Sequence, residues 1–420
     1  MSDSPSTNDA QPSVLVISTD KYPPFRVDVT VLFGKKLSSR GMRVDWIMQS
    51  SAACDQDYEV QWGNGTVCVG RTDLGGSLPR RLYKHLLGMK SDWRVTQRAK
   101  EHRYDIIEVK DKILAAFPAL RAASRSRSAF VYWLSFPNPE ASLHLARIGE
   151  ARYPLLYLIR GWVHFKLLYG YVLKRADHVV VQSEQMKRDL IGYGIPAAKM
   201  TAVPMGVDME VLSAVVPKAA THTSPVVCYL GTLAGERRID FLVRCFAKVL
   251  EKIPDATLLL VGDGDRPGDV EQIRAEAARL GVGQKLTITG FLPQREALEL
   301  VAAATVCVSP FYPTPILNST SPTKLVEYMA LGRPVVANDH PEQRLVLSQS
   351  RAGLCVPYVE DAFADAIVTI IGDPAEAAAM GVRGRAYVRE HRDYERIADL
   401  VEALYKRIAT TARESSMHRS

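Results

Sequence analysis

With 420 residues, the chain is long enough for two domains, each with a sizeable core. Hydrophobic residues make up 47% and charged residues 24%, which excludes a disordered or fibrous protein, and no uninterrupted apolar stretch is long enough to cross a bilayer. The net charge of +7, with a pI near 9.0, makes anionic partners the ones to weigh.

The first dozen residues, 1–12, are polar and lack the apolar centre of a signal peptide, so a disordered tail is expected. Buried strands are predicted at 14–18, 44–48, 105–108, 129–133 and 178–182, with helices at 28–41 and 154–175. The basic excess is concentrated in this half: Arg80, Arg81, Lys84, Lys90, Arg94, Arg98 and Lys100, then Arg121, Arg125 and Arg127. Such a surface could face nucleic acid or anionic lipid, or simply be solvated. The stretch 153–173 is rich in Leu, Tyr, Trp and Phe, interrupted by Arg160, His164 and Lys166. It reads either as a core helix or as one lying on a membrane.

A weak linker composition at 206–224 separates this half from the next. Strands are then predicted at 226–230, 257–261, 286–289, 306–309 and around Val335, alternating with helices at 239–253, 270–280, 294–304, 362–371 and 374–405. Alternation of this kind implies parallel, doubly wound α/β sheets. The fold class expected is two Rossmann-like domains, 13–205 and 225–390, facing a cleft, with 391–420 a terminal helix and tail that crosses back to the first. The six cysteines are scattered without metal-type pairing, as in a reduced, cytoplasmic protein.

The segment from Ser321 to Ala337 carries the clearest chemistry. A polar turn, Ser321-Pro-Thr, runs into a helix that stops at Gly332, before an apolar strand. Free N–H groups and the positive end of a helix dipole suit a diphosphate. Lys324 adds a charge in the first turn, and Glu327 shares its face three residues on. A carboxylate there suits a pair of sugar hydroxyls, and phosphate with ribose means a nucleotide.

Several further pieces fall in order along the chain: Val227-Cys-Tyr-Leu-Gly231 with Arg237 and Arg238, Leu258-Leu-Leu-Val-Gly262-Asp-Gly264, Thr289-Gly-Phe-Leu-Pro293 with Glu296, and, in the first half, Asp177-His-Val-Val-Val-Gln-Ser183 and Val203-Pro-Met-Gly-Val-Asp208. With the Ser321 helix, this series resembles the family 4, group 1 glycosyltransferases, which are retaining, use nucleotide sugars and have the GT-B fold. The resemblance implies a donor domain at 225–390 and an acceptor domain at 13–205. It implies that Gly290, Phe291 and Leu292 line the nucleobase, that Glu327 holds the ribose, and that the backbone of Thr323, Lys324 and Leu325 meets the distal phosphate. Arg237 or Arg238 would neutralise the leaving diphosphate. Gly231, Thr232, Ser319 and Ser321 complete the donor set, while Arg26, Asp28, Ser135, Asn138 and Glu140 are the candidate acceptor or phosphate contacts.

The sequence departs from that pattern in three places. Ser319 stands eight positions before the ribose glutamate, where the family often has a carboxylate. Thr232 replaces an arginine, and Pro23-Pro-Phe-Arg-Val-Asp28 replaces a Gly-Gly loop. Arg26 is a candidate for the charge that Thr232 does not supply. No cofactor and no metal are expected, because Asp263 and Asp265 fall in a turn that the family does not use for metal. The expected partners are a uridine- or guanosine-linked nucleotide sugar and a glycan or lipid-linked acceptor. An anionic membrane surface at the inner face of the membrane is a further one, and no nucleic acid is expected. Two other readings stay open: an epimerase or hydrolase of the same fold, and a non-catalytic module that binds sugar nucleotides.

Overall fold

The computed structural model describes residues 11–75, 77–149, 151–216 and 224–417. Most of the expected tail, and residues 217–223 of the expected linker, lie outside the described residues, as does Gly76. Two compact units emerge. The first takes the chain up to Pro204 and again from Tyr394 onward, and the second is Met205–Asp393.

The first unit is built on β1 (Val14–Tyr22), β2 (Val44–Ser50), β3 (Tyr58–Trp62), β4 (Gly65–Gly70), β5 (Ile106–Lys110), β6 (Ala129–Leu134), β7 (His178–Val181) and β8 (Met200–Ala202). The sheet order is β3-β4-β2-β1-β5-β6-β7-β8, and only β3 pairs antiparallel. Its strands are apolar on both faces because both faces are covered. Leu15 and Ile17 join one core with Val109 and Tyr132. Val14 and Val16 turn to the other side, where Trp46, Trp133 and Phe33 meet edge-on. That second core is closed by the C-terminal helix, Tyr394–Met417, through Tyr394, Val401 and Tyr405.

The second unit has β9 (Val226–Leu230), β10 (Thr257–Val261), β11 (Leu286–Ile288), β12 (Val306–Ser309), β13 (Val335–Asn338) and β14 (Gly353–Val356), in the order β11-β10-β9-β12-β13-β14. Every pairing recorded in this sheet is parallel. In each unit the strand order reverses beside the first strand, between β1 and β5 and between β9 and β12. Loops leave those strand ends in opposite directions, and the crevice they open is where ligands bind in such sheets.

An ionisable group lies buried beside Tyr405 of that second core. Glu108 on β5 is wholly buried and accepts a 2.5 Å hydrogen bond from the Tyr405 hydroxyl. Burial pushes its carboxyl up to about 7. The folded state therefore holds a proton that the unfolded chain has released above pH 4.5, so stability falls as pH rises from about 4.5 to 7. Glu108→Gln keeps a partner for Tyr405 and removes this term. Denaturant unfolding of both proteins at pH 5 and pH 8 is expected to show the wild type losing roughly 3 kcal/mol relative to the variant.

Candidate active site

At the reversal point of the second unit, three loops meet: Gly231 after β9, Phe311 after β12, and the start of the helix Thr323–Ala330. The approach of the first two strand-end loops of this unit depends on glycine. Gly262, after β10, has φ +150, and a Cβ there would lie 2.0 Å from the Gly231 carbonyl oxygen. Gly231 itself has φ +141. Tyr328, buried in the helix, accepts a 2.7 Å hydrogen bond from the Leu230 N–H, which fixes the helix to the end of β9.

The Lys324 ammonium is held over aromatic faces. It donates to the Tyr229 hydroxyl at 2.7 Å, stands 4.0 Å from the Tyr229 ring centre and lies 5.3 Å from that of Phe311. Tyr229 in turn donates to the Thr232 carbonyl at 3.3 Å. The Arg237 guanidinium lies over the other contact, 6.0 Å from the Phe311 ring centre. Neither cation has a carboxylate within ion-pair distance among the described residues. Burial and the Arg237 charge hold Lys324 well below its ordinary value of 10.5, with Glu327 pulling the other way. Burial likewise raises Glu327 against the pull of Lys324. The helix carries no side-chain cap at its start, so the N–H groups of Thr323, Lys324 and Leu325 meet no capping side chain. Two cations and an open helix start are a combination suited to an anion of the diphosphate kind.

The neighbouring arginine is placed differently. Arg238 adopts φ 52, is exposed, and turns to Asp240 at 3.3 Å and over the Tyr312 ring at 5.4 Å. Gly290, with φ +71, lies in the loop after β11, where the Thr289 hydroxyl donates to the Gly290 carbonyl and accepts from the Gly262 N–H. Phe291 is 84% exposed and Leu292 packs partly on the core. Ser321 accepts from the Met205 N–H at 3.1 Å. Ser319 is buried, and its hydroxyl donates to the Pro315 carbonyl at 3.3 Å. Leu325 points its side chain into the core.

Residues that sequence reasoning passed over hold this arrangement. Asn338, at the end of β13, forms two hydrogen bonds with the Phe311 backbone, at 2.6 and 2.9 Å. His340 is wholly buried. Its Nδ1 accepts from the Glu342 N–H, so Nε2–H donates to the Leu317 carbonyl at 2.8 Å. It ties the loop before the Thr323 helix to the next helix start. The available signal was a run of polar residues, Asn338-Asp-His340, immediately after an apolar strand.

In the first unit, the reversal point holds a buried charge cluster. Lys110, wholly buried at the end of β5, donates to Asp28 at 2.7 Å and to Ser135 at 3.0 Å. Arg26 bonds Asp28 twice, at 2.9 and 3.0 Å, and lies near Asp20 and Asp111. Burial opposes ionisation of Asp28, yet Lys110 and Arg26 hold it below its ordinary value. Asp111 adopts φ 58 and receives the Ser135 N–H at 2.7 Å, while burial raises its carboxyl. Arg26 is thus engaged by three carboxylates of its own unit. Asn138 is exposed and bonds only locally, to the Phe136 carbonyl. Glu140 is taken up by the Tyr169 hydroxyl at 3.0 Å. Lys110 and Asp111 were missed because the predicted strand stopped at Glu108.

The chain matches the model for glycosyltransferase family 4 over residues 28–211 and that for glycosyl transferases group 1 over residues 224–373. Among curated proteins it is 25% identical over 276 residues to an alpha-maltose-1-phosphate synthase of Mycolicibacterium smegmatis, covering 60% of this chain and 67% of that one. It is 29% identical over 221 residues to a GDP-mannose-dependent alpha-(1-6)-phosphatidylinositol monomannoside mannosyltransferase of the same organism, covering 50% and 57%. The matched stretches thus span about half to two thirds of these relatives. Among solved structures, sucrose-phosphate synthase from Thermosynechococcus elongatus superposes with a TM-score of 0.72 at 21% identity, covering 96% of this chain and all of that one (100%). Anabaena HepE in complex with UDP gives 0.68 at 17% identity, covering 93% and 99%. These likenesses establish the GT-B fold. The two family matches, one on each unit, show that the chain belongs to the family 4, group 1 glycosyltransferases.

Proposed function

We propose that this protein moves a sugar from a uridine- or guanosine-linked nucleoside diphosphate to an acceptor hydroxyl, with retention at the anomeric carbon. One observation carries the reading: Lys324 and Arg237 converge on the Phe311 ring beside an uncapped helix start, with no carboxylate to neutralise them. A diphosphate supplies the missing charge. The sugar–oxygen bond to the diphosphate breaks, and Arg237 stabilises the charge that grows on the leaving group. The acceptor oxygen bonds to the same face of the sugar, and its proton passes to the departing phosphate oxygen. No metal is needed in this scheme, since the chain's own cations carry the charge. Arg237 takes this role over Arg238, which Asp240 already engages. Glu327 takes the ribose hydroxyls, and Gly290, Phe291 and Leu292 the base. The cluster of Asp20, Asp111 and Arg26 at the reversal point of the first unit serves the acceptor, a polyol by its hydrogen-bonding character.

Lipid-linked acceptors fit a second feature. On the helix Pro154–Leu167, Leu155 is 71% exposed, Leu156 59%, Ile159 54%, Trp162 56% and Val163 49%. The stretch 151–167 has no acid, and Arg160 and Lys166 stack over Tyr157 and Trp162. The helix therefore presents its apolar side outward, ringed by cations, as a surface for anionic lipid. Relatives named for phosphatidylinositol mannosides support this choice of acceptor class. A binding module without catalysis is the second reading, favoured by Ser319, which offers no carboxylate and is turned back on Pro315.

Glu327→Ala is expected to abolish the rise in melting temperature given by the preferred nucleoside diphosphate sugar in a thermal-shift panel. Arg237→Ala is expected to lower kcat about 100-fold with a smaller change in KM. Donor turnover absent from both the wild type and Arg237→Ala would favour the binding module. Because burial and the Arg237 charge hold Lys324 below its ordinary value in the free protein, an arriving diphosphate favours its charged form. Calorimetry in buffers of different ionisation enthalpy is expected to show proton uptake at alkaline pH, and affinity falling as pH rises toward 10.5; Lys324→Met removes both effects. Leu155→Asp with Trp162→Asp is expected to abolish flotation with phosphatidylglycerol vesicles at low salt while leaving donor binding intact.

A further inference from the structure

The first unit has a cavity of about 620 Å³ at the N-terminal ends of β6 and β7, the opposite end of the sheet from Lys110 and Ser135. That volume is in the range of small-molecule sites. Its floor is Phe130 and its apolar walls are Leu120 and Ile408, the last from the C-terminal helix. Three arginines line it, one from each of three segments: Arg127, Arg175 and Arg407. None of them has a carboxylate within ion-pair distance among the described residues. The single acid in the lining, Asp177, accepts the Phe130 N–H at 2.8 Å. His178 bonds Thr201 at 2.9 Å, and burial with the nearby Arg407 and Lys187 charges lowers it to about 4, so it stays neutral. Arg127 ends its helix with φ 58, and its N–H bonds the Ala123 carbonyl, which satisfies part of the helix end facing the cavity.

We propose that this cavity is a second anion site, taking a molecule that carries a phosphoryl group against the arginines and an apolar part against Leu120 and Ile408. The lining groups, three arginines against one aspartate, carry a net positive charge that favours an anion. Guanidinium forks match phosphoryl oxygens in bidentate fashion, and convergence from three segments gives the geometry for more than one such contact. Bound there, the ligand ties the C-terminal helix to the edge between β6 and β7. The site is separate from the donor site of the second unit and does not depend on the reaction assigned to that site.

The test uses inorganic pyrophosphate on the full chain carrying Lys324→Ala and Arg237→Ala, so that the donor site is silent. Calorimetry is expected to show remaining pyrophosphate binding. Adding Arg127→Gln and Arg407→Gln is expected to weaken it at least about tenfold. Both arginines are exposed and unpaired, so the melting temperature without ligand is expected to stay the same and serves as the folding control. No binding in the donor-silent protein, or equal binding after the two arginine changes, overturns the proposal. Flotation with phosphatidate-containing phosphatidylcholine vesicles, in the Leu155→Asp/Trp162→Asp background, separates the sources. Flotation that is lost with Arg127→Gln and Arg407→Gln identifies a lipid headgroup. Pyrophosphate binding without flotation identifies a soluble phosphate compound.

Discussion

Two like charges held side by side without a counterion repel, and the second unit is shaped by the need to hold them there. Lys324 and Arg237 would each gain by finding a carboxylate. They are instead given aromatic faces, a weaker attraction that costs little to exchange for a phosphate. The supports follow from this. Phe311 can serve both cations only if its backbone is fixed, which Asn338 does. Gly231 can approach Lys324 only because it and Gly262 lack side chains. Tyr328 sets the height of the helix start against β9. His340 holds the loop that leads into it. The site is prepared by rigid neighbours, so an entering anion meets charges already in place.

The first unit handles charge in the opposite way. At its own strand reversal, Lys110 and Arg26 are surrounded by Asp20, Asp28 and Asp111, and the hydrogen bonds are nearly all made internally. Such a cluster carries its own counter-charges. It offers carboxylate edges and a guanidinium, which suits neutral hydroxyl groups. The positive φ at Asp111 places a side chain where an ordinary strand end would not, a form of local strain that concentrates at functional positions. The two units share a topology and differ in how the charges at their crevices are balanced.

Much of this was legible from residues alone, and the gaps have physical causes. β9, β10 and β12 occupy the predicted bounds because each is an unbroken apolar run closed by Gly or Pro or a polar turn. β5 extends two residues past its predicted end, because Lys110 looks like a solvent residue until Asp28 and Ser135 arrive from elsewhere in the chain. The hairpin β3–β4 was passed over although Gly63-Asn64 marks its turn. Arg237 and Arg238 cannot be told apart by sequence. A left-handed backbone at the second sends it to Asp240, and that is a property of the fold. The 153–173 stretch divides in two: Leu168, Tyr169, Val172 and Leu173 enter the core, while Leu155, Leu156, Ile159, Trp162 and Val163 are exposed. Periodicity gives the faces of a helix without saying which of them is covered.

The return of the C-terminal helix to the first unit has a consequence for synthesis. One face of that sheet, with Val14, Val16, Trp46 and Trp133, is packed by residues from Tyr394 onward. A ribosome that has made the entire second unit has still not supplied them. The nascent first unit therefore waits with a broad apolar surface uncovered until the helix Tyr394–Met417 emerges, which is the situation in which chains aggregate or recruit chaperones. Synthesis of that helix, and not completion of the first sheet, is the event that seals this half of the molecule.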